Sequence, residues 1–382
     1  MQAAIRTIFK KETTAGIIIG AFLMVIWNSY AYSNREPDPS KTIVQQGLAD
    51  DANAYADDDI LNDSTVLLKN GQVVLERKNC TTAEYSPANV MKVNGQISNN
   101  GPWPYIDSSE VCAGENSKNC FPPLPENPDR LQLYTSRTSK TAICTVRKSS
   151  SRISISISCM LDDPLKFFYG KQDLIENVFE SFCQTSNRHR SIKSAEKAGV
   201  TNKNGWKLAM VIREPLERFV SGFLHLCMNG RIDEDCNRYC NGCGVDINCF
   251  LDRQTKKFED MLKFHSNVDD GSNHFYPQNW ACDLRNHIGN YTFLNFHSDS
   301  AKFFDESLRP FFKSQNVGDD ALNYIRDRMV STRTKHANTT PELAIFLQNK
   351  IRSSPQLLEK FLRIYYHDYT TFGYPIPELL KE

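Results

Sequence analysis

A six-residue apolar run, Lys207 to Ile212 (KLAMVI), passes without a spacer into Arg213-Glu214-Pro215-Leu216-Glu217-Arg218-Phe219-Val220-Ser221-Gly222-Phe223. No other stretch restricts the fold as much. The run reads as a buried strand, and Pro215 suits a first helical turn, where its missing N–H costs nothing. Leu216, Phe219, Val220, Phe223 and Cys227 then recur at helical spacing and predict a buried stripe, with Arg218, Ser221 and His225 on another face. A strand that ends in Arg and enters a helix carrying Ser two turns on can bring a guanidinium and a hydroxyl to one phosphate beside a helix N-terminus. On spacing alone, an amphipathic helix with a surface Arg and Ser reads as well.

A second strand-to-loop junction lies upstream. Ala142 to Val146 (AICTV) reads as a buried strand and runs into Arg147-Lys148-Ser149-Ser150-Ser151-Arg152. Backbone amides, serine hydroxyls and Lys148 in such a loop can cradle a phosphate or phosphosulfate, although a plain basic turn has the same composition. The Gly-x-x-x-x-Gly-Lys spacing is missing, which disfavours an ordinary kinase or ATPase. Between Ile153 and Leu161 isoleucines alternate with serines at a strand period, yet Ile153, Ile157, Met160 and Leu161 also share one helical face. A helix is expected, because a phosphate loop needs a helix start behind it. From about residue 130 short β-branched runs alternate with helix-like segments, the pattern of an α/β domain.

The chain has 382 residues, 40% of them hydrophobic, enough for a catalytic-sized core, and its 45 Lys and Arg balance 45 Asp and Glu. No global field favours nucleic acid, so an anionic ligand must be held by a local site. All twelve cysteines lie at or beyond Cys80. Ahead of them, Ala15 to Tyr32 carries no charge, follows Arg6, Lys10 and Lys11, and ends in Trp27, Tyr30 and Tyr32. This is the pattern of a single-pass type II anchor; a cleaved signal peptide is the competing reading. The expected organisation is a cytosolic tail (1–14), a transmembrane anchor (15–33), a luminal stem with hairpin and loops (34–135) and a catalytic domain (136–382). Sequons at Asn62, Asn79, Asn290 and Asn338 offer N-glycan acceptors in that lumen. Asn70-Gly71 marks a hairpin, and the Pro-rich stretch 86–128 reads as loop held by Cys112 and Cys120. Asp57-Asp58-Asp59 could hold a metal and a sugar nucleotide in a glycosyltransferase, but sits in an acidic stretch where a solvated stem is the simpler account. Cys236, Cys240, Cys243 and Cys249, flanked by Cys227 and Cys282, read as disulfides in an oxidising lumen rather than a zinc site, with connectivity open.

The two strand-to-loop junctions resemble the elements that bind 3′-phosphoadenosine 5′-phosphosulfate (PAPS) in Golgi carbohydrate sulfotransferases. Three further stretches look like the same family: His274-Phe275-Tyr276-Pro277-Gln278 leading to Trp280 and Cys282; Thr332-Arg333-Thr334-Lys335-His336-Ala337; and Ile364-Tyr365-Tyr366-His367-Asp368-Tyr369 with Phe372 and Tyr374. The match covers residues 140–375 and is closest to the nematode-type branch, similar to chondroitin 4-O-sulfotransferases. It implies a P-loop-like α/β fold with a central parallel sheet flanked by helices, PAPS as co-substrate without a metal, a glycosaminoglycan or other glycan acceptor, and residence in the Golgi membrane. It further implies that Arg147, Lys148, Ser149, Ser150 and Ser151 meet the 5′-phosphosulfate and that Arg213 and Ser221 meet the 3′-phosphate. Arg152 departs from the family, which usually has Thr there.

Sulfuryl transfer needs a cation for the leaving oxygen and a base for the acceptor proton. Lys148 is the candidate for the first role and His274 for the second, with His225 and Glu214 as alternatives. Arg188, Arg190, Lys193, Lys197, Lys203 and Lys207 form a basic strip that suits a polyanionic glycan or, equally, a solvated helix. A glycan-binding ectodomain without catalysis and a luminal glycosyltransferase remain alternatives at this stage.

Overall fold

The structure is a computed structural model that describes residues 64–69, 72–77, 107–125, 131–175, 187–228, 238–265, 269, 271–331 and 341–380. The expected tail (1–14), the uncharged anchor segment (15–33), the acidic stem stretch (34–63) with Asp57-Asp58-Asp59, the sequons at Asn62, Asn79 and Asn338, and Thr332-Arg333-Thr334-Lys335-His336-Ala337 lie outside the described residues. Among the described residues no helix is long and apolar enough to cross a membrane.

Both expected junction strands form. The apolar run is β6 (Lys207–Ile212), buried along its length except at Lys207, and it pairs in parallel with β4 (Thr141–Cys144) on one side and β7 (Tyr291–Asn295) on the other. The sheet has five strands in the order β5-β3-β4-β6-β7. The expectation of a parallel sheet holds for its centre only: β3 (Leu133–Ser136) runs antiparallel to β4, and the two-residue β5 (Arg188–His189) antiparallel to β3. A short turn joins β3 to β4, and so tight a connection can only reverse the chain, whereas the parallel pairs are linked by long crossovers. The two strands expected to flank Asn70-Gly71 pair antiparallel, β1 (Ser64–Lys69) with β2 (Gln72–Arg77), so that Lys69 faces Gln72.

Alternation along the strands divides the core in two. Leu133, Ala142, Cys144, Leu208, Met210 and Ile212 face one cluster, while Ile143, Ala209, Val211 and Leu294 face the other. On the second face lie helix α1 (Ser151–Asp162) and a helix over Asp319–Ser331. The first face is covered by α2 (Ile192–Lys197), α3 (Pro215–Phe223), α4 (Ile247–Phe264) and α5 (Pro355–Phe372). The Ile/Ser alternation of residues 153–161 is therefore helical. Two of its buried serines bond back along the chain, Ser154 Oγ donating to Ser150 C=O (3.0 Å) and Ser158 Oγ to Ser154 C=O (2.9 Å).

The Pro-rich segment contributes more than a loop. Val111, Cys112 and Phe121 pack in the first core cluster, and Cys112 is bonded to Cys120. Three further pairs among the described residues are Cys144–Cys282, Cys227–Cys240 and Cys243–Cys249, and Cys159 is disulfide-bonded as well. No described cysteine is free; Cys236 lies outside the described residues.

Candidate functional site

Parallel strands leave their C-terminal ends open to the loops that follow, and both junctions of interest leave the sheet there. Past β4, Lys148 (φ 66°) and Ser150 (φ 58°) both adopt the left-handed conformation around Ser149. Alternating backbone handedness turns successive N–H groups toward one concavity, an anion nest. Here it opens onto the N-terminus of α1, a twelve-residue helix whose free N–H groups favour the same charge. Ser150 is the N-cap, yet its hydroxyl caps nothing, and its Oγ is buried with no hydrogen-bond partner. Left-handed backbone at two non-glycine residues and a buried hydroxyl without a partner are features that fit an anion-binding loop.

Past β6, Arg213 leans on that loop. Its Nη1 donates to Lys148 C=O (3.1 Å), its guanidinium lies 4.6 Å from the centre of the Phe296 ring, and Glu217 stands 3.6 Å from Nε. Burial pulls its pKa below the usual arginine value, against the pull of Glu217, but a guanidinium keeps its proton in proteins. A fixed positive charge thus sits beside the nest. Its Nε, and Nη2 of Arg218, are further buried donors without a hydrogen-bond partner.

Arg218 departs most from its sequence reading. Placed by periodicity on the face away from the buried stripe, it is 0% exposed. Its Nε donates to Arg147 C=O (3.0 Å) and its Nη1 to Tyr276 C=O (2.9 Å), so one guanidinium clamps the loop after β4 to the segment that carries His274. That segment approaches α3 closely: a Cβ at Gly222 would lie 2.9 Å from Phe275 Cε1, which is why the helix has glycine there. Tyr365 Oη donates to Phe275 C=O.

His274 is buried at the end of a short 3-10 turn, Ser272–His274, with its ring centre 6.1 Å from that of His225. His225 lies in the π-helical turn Leu224–Met228 that continues α3, a distortion that recurs at functional sites. The two imidazole candidates are therefore neighbours. Glu214 is occupied otherwise. It N-caps α3, one oxygen accepting from Glu217 N–H (2.6 Å) and the other from Tyr369 Oη (2.5 Å). Burial pushes its carboxyl above the usual carboxylate range.

Three side chains missed in the sequence complete the arrangement: Arg218, Gln278 and Asp368. Gln278 receives the Ser149 hydroxyl (3.2 Å) and the Arg213 N–H (3.0 Å). Asp368, fully buried, accepts from Gln278 N–H (2.8 Å) and from Asn279 N–H (2.7 Å) and Nδ2 (2.6 Å). Burial raises its carboxyl, with the charge of Arg218 pulling the other way. Only the first and last of the three carry charge, and a charged residue inside an apolar helical repeat is the one signal that could have marked them.

The other candidates lie around this centre. Ser151 and Arg152 are half-buried in the first turn of α1, and Ser221 is half-buried on α3. Along the basic strip, Arg190, Lys193, Lys197, Lys203 and Lys207 are exposed. Lys207 begins β6 and Arg213 follows its end, so the two stand roughly 20 Å apart at 3.3 Å per residue. A cavity of about 390 Å³ under α2, lined among others by Leu133, Ile192, Val200, Leu208 and Asn290, contains none of the residues expected to meet the donor.

Residues 131–375 match a family model described as "Sulfotransferase family". An uncharacterized protein of Caenorhabditis elegans is 32% identical over 276 residues, spanning 70% of this chain and 75% of its own. The carbohydrate sulfotransferase chst-1 of the same nematode is 24% identical over 239 residues, 61% of this chain and 72% of its own. No solved structure matches the chain.

Proposed function

This chain belongs to the sulfotransferase family and is a sulfotransferase enzyme, and from that premise we propose that it moves the sulfuryl group of PAPS to a glycan hydroxyl, with the 4-hydroxyl of chondroitin as acceptor. The observation that carries the donor assignment is the nest at 148–150, with its unpartnered Ser150 hydroxyl and the Arg213 guanidinium against the same loop. A glycan acceptor draws support from the likeness to a carbohydrate sulfotransferase and from the exposed basic strip.

The donor supplies a sulfur atom joined to a phosphate oxygen that leaves readily. Lys148, the loop N–H groups and Ser150 and Ser151 hold the 5′-phosphosulfate and stabilise the negative charge that gathers on the departing oxygen. Ser149 serves through the loop's backbone, since its hydroxyl goes to Gln278. Arg213 and Ser221 hold the 3′-phosphate. His274 takes the acceptor's proton as the hydroxyl oxygen bonds to sulfur, and its burial keeps water from competing. We place the enzyme in the Golgi membrane, anchored through residues 15–33 with the catalytic domain in the lumen and N-glycans at its sequons; exposed Asn290 is accessible to such modification.

The test is incubation of the full chain in solubilised membranes with radiolabelled PAPS and a panel of desulfated glycans, followed by disaccharide analysis. Label in 4-O-sulfated N-acetylgalactosamine is the expected result. Label elsewhere overturns the acceptor, and no transfer to any glycan overturns the glycan reading.

A further inference from the structure

Gln278 is 0% exposed, and its side-chain amide touches both donor-binding elements at once. Its Nε2 donates to Arg213 C=O (2.7 Å), while Oε1 accepts from Arg213 N–H (3.0 Å) and from Ser149 Oγ (3.2 Å). The amide therefore pairs with Arg213 as a neighbouring strand would, beyond the last rung of the β6–β7 ladder at Ile212 and Asn295. From behind, Asp368 fixes the backbone of Gln278 and Asn279. Four residues upstream stands His274.

We propose that Gln278 is a positioning residue that sets the distance between the phosphosulfate loop and Arg213 and registers both against the His274 turn. The chemistry requires an amide. A residue just past a strand end presents one N–H and one C=O, and only a side chain with a donor and an acceptor in one plane satisfies both. A carboxylate of equal size has two acceptors and turns one of them on the Arg213 carbonyl. An apolar residue leaves the N–H, the C=O and the Ser149 hydroxyl buried and unpaired. This inference rests on the proposed donor site.

The test substitutes Gln278→Glu and Gln278→Leu in the full chain and measures affinity for adenosine 3′,5′-bisphosphate by calorimetry between about pH 5 and pH 8, where a buried carboxyl titrates, together with kcat and KM for PAPS. The Glu variant should bind roughly tenfold or more weakly than wild type at the alkaline end, one lost buried hydrogen bond. It should recover as the pH falls, because the protonated acid regains an O–H donor for the Arg213 carbonyl. Gln278→Leu should bind weakly at every pH, and kcat should fall in both variants because the His274 turn shifts with the loop. A Glu variant within twofold of wild type throughout, or one weakened by a single factor at all pH values, overturns the inference. Should neither variant fold, Ser149→Ala removes one of the three contacts gently and should cost several-fold in affinity; unchanged affinity there also overturns it. Wild-type protein that fails to bind the bisphosphate overturns the donor site itself, a separate outcome.

Discussion

Replacing Arg218 by Met keeps the length of the buried stem and removes the guanidinium. Two carbonyls lose their donors, Arg147 C=O at 3.0 Å and Tyr276 C=O at 2.9 Å, and a hydrogen bond to a charged group is worth about 1.5–3 kcal/mol. The sum, about 3–6 kcal/mol, is offset in part because a cation no longer has to be kept out of water. Asp368, buried and partly balanced by the Arg218 charge, is left with neutral donors only. The net cost should be about 3–5 kcal/mol, the range for losing one member of a buried ionic arrangement. For a domain of this size each kcal/mol lowers the melting midpoint by about 2–4 °C, so the midpoint should fall by roughly 6–20 °C. Calorimetry or far-UV circular dichroism on Arg218→Met, Asp368→Asn and the double variant reads both the cost and the coupling. In the Arg218→Met background, Asp368→Asn should cost less than in wild type by about 1 kcal/mol or more. A single variant within about 3 °C of wild type, or strictly additive costs, would refute the claim that the buried guanidinium clamps the loop to the His274 segment.

At the donor site, Arg213→Ala should weaken adenosine 3′,5′-bisphosphate by about 1.5–3 kcal/mol in calorimetry and Ser150→Ala by less, since a neutral donor is lost; unchanged affinity in a folded variant removes that residue from the site. His274→Ala should leave donor affinity intact while lowering turnover ~10²-fold or more; a defect confined to the KM for glycan reassigns it to acceptor binding. Glu214 titrates above its usual 4.5 because it is buried, so the stability it gives is fully present below that value and is lost as pH rises through the raised one. The difference in melting midpoint between wild type and Glu214→Gln should accordingly grow as the solution is acidified from neutral. Acidic residues such as Asp162 and Asp269, held below 3.8, respond only at lower pH, and a flat difference sinks the assignment. Added salt should weaken glycan binding far more than donor binding, because the strip from Arg190 to Lys207 is exposed and Arg213 is not; equal sensitivity in the two titrations would deny the strip its role.

Much of this was legible wherever the information is local. β6, the Pro215 helix start and the stripe Leu216, Phe219, Val220, Phe223 and Cys227 follow from short-range period and are found as expected, every stripe residue buried. The antiparallel edge was not legible, since β5 has two residues and no period can be read from two. Helical spacing puts Arg218 on another face than the stripe, because it records which residues share a side, not what later covers that side. Its partners lie 71 and 58 residues away. Gln278 and Asp368 escaped for the same reason, meeting their partners across 65 and 90 residues. Cysteine pairing is likewise a property of the closed fold: Cys282, read as a flank of the 236–249 cluster, bonds Cys144 at the end of β4, 138 residues away.

These long-range contacts share one chemical logic. The loop assigned to the donor follows the strand bonded to Cys282, is clamped by Arg218, and is pinned through Ser149 to Gln278, so its geometry is set by the fold itself. The left-handed residues Lys148 and Ser150 carry a conformational cost of order 1–3 kcal/mol each, and a loop free to relax would shed it. Holding it requires partners that are rigid, and the structure uses buried hydrogen bonds from a guanidinium and an amide, whose planar groups fix direction as well as distance. Electrostatic catalysis depends on that rigidity. Donors already aimed at the position where charge develops need no reorganisation when it appears, and in a buried site each acts at close to full strength. The same elements carry His274 on the far side of the clamp, so the side chain assigned to the proton and the loop assigned to the leaving oxygen are held to one scaffold, and a change that loosens either must reach the other.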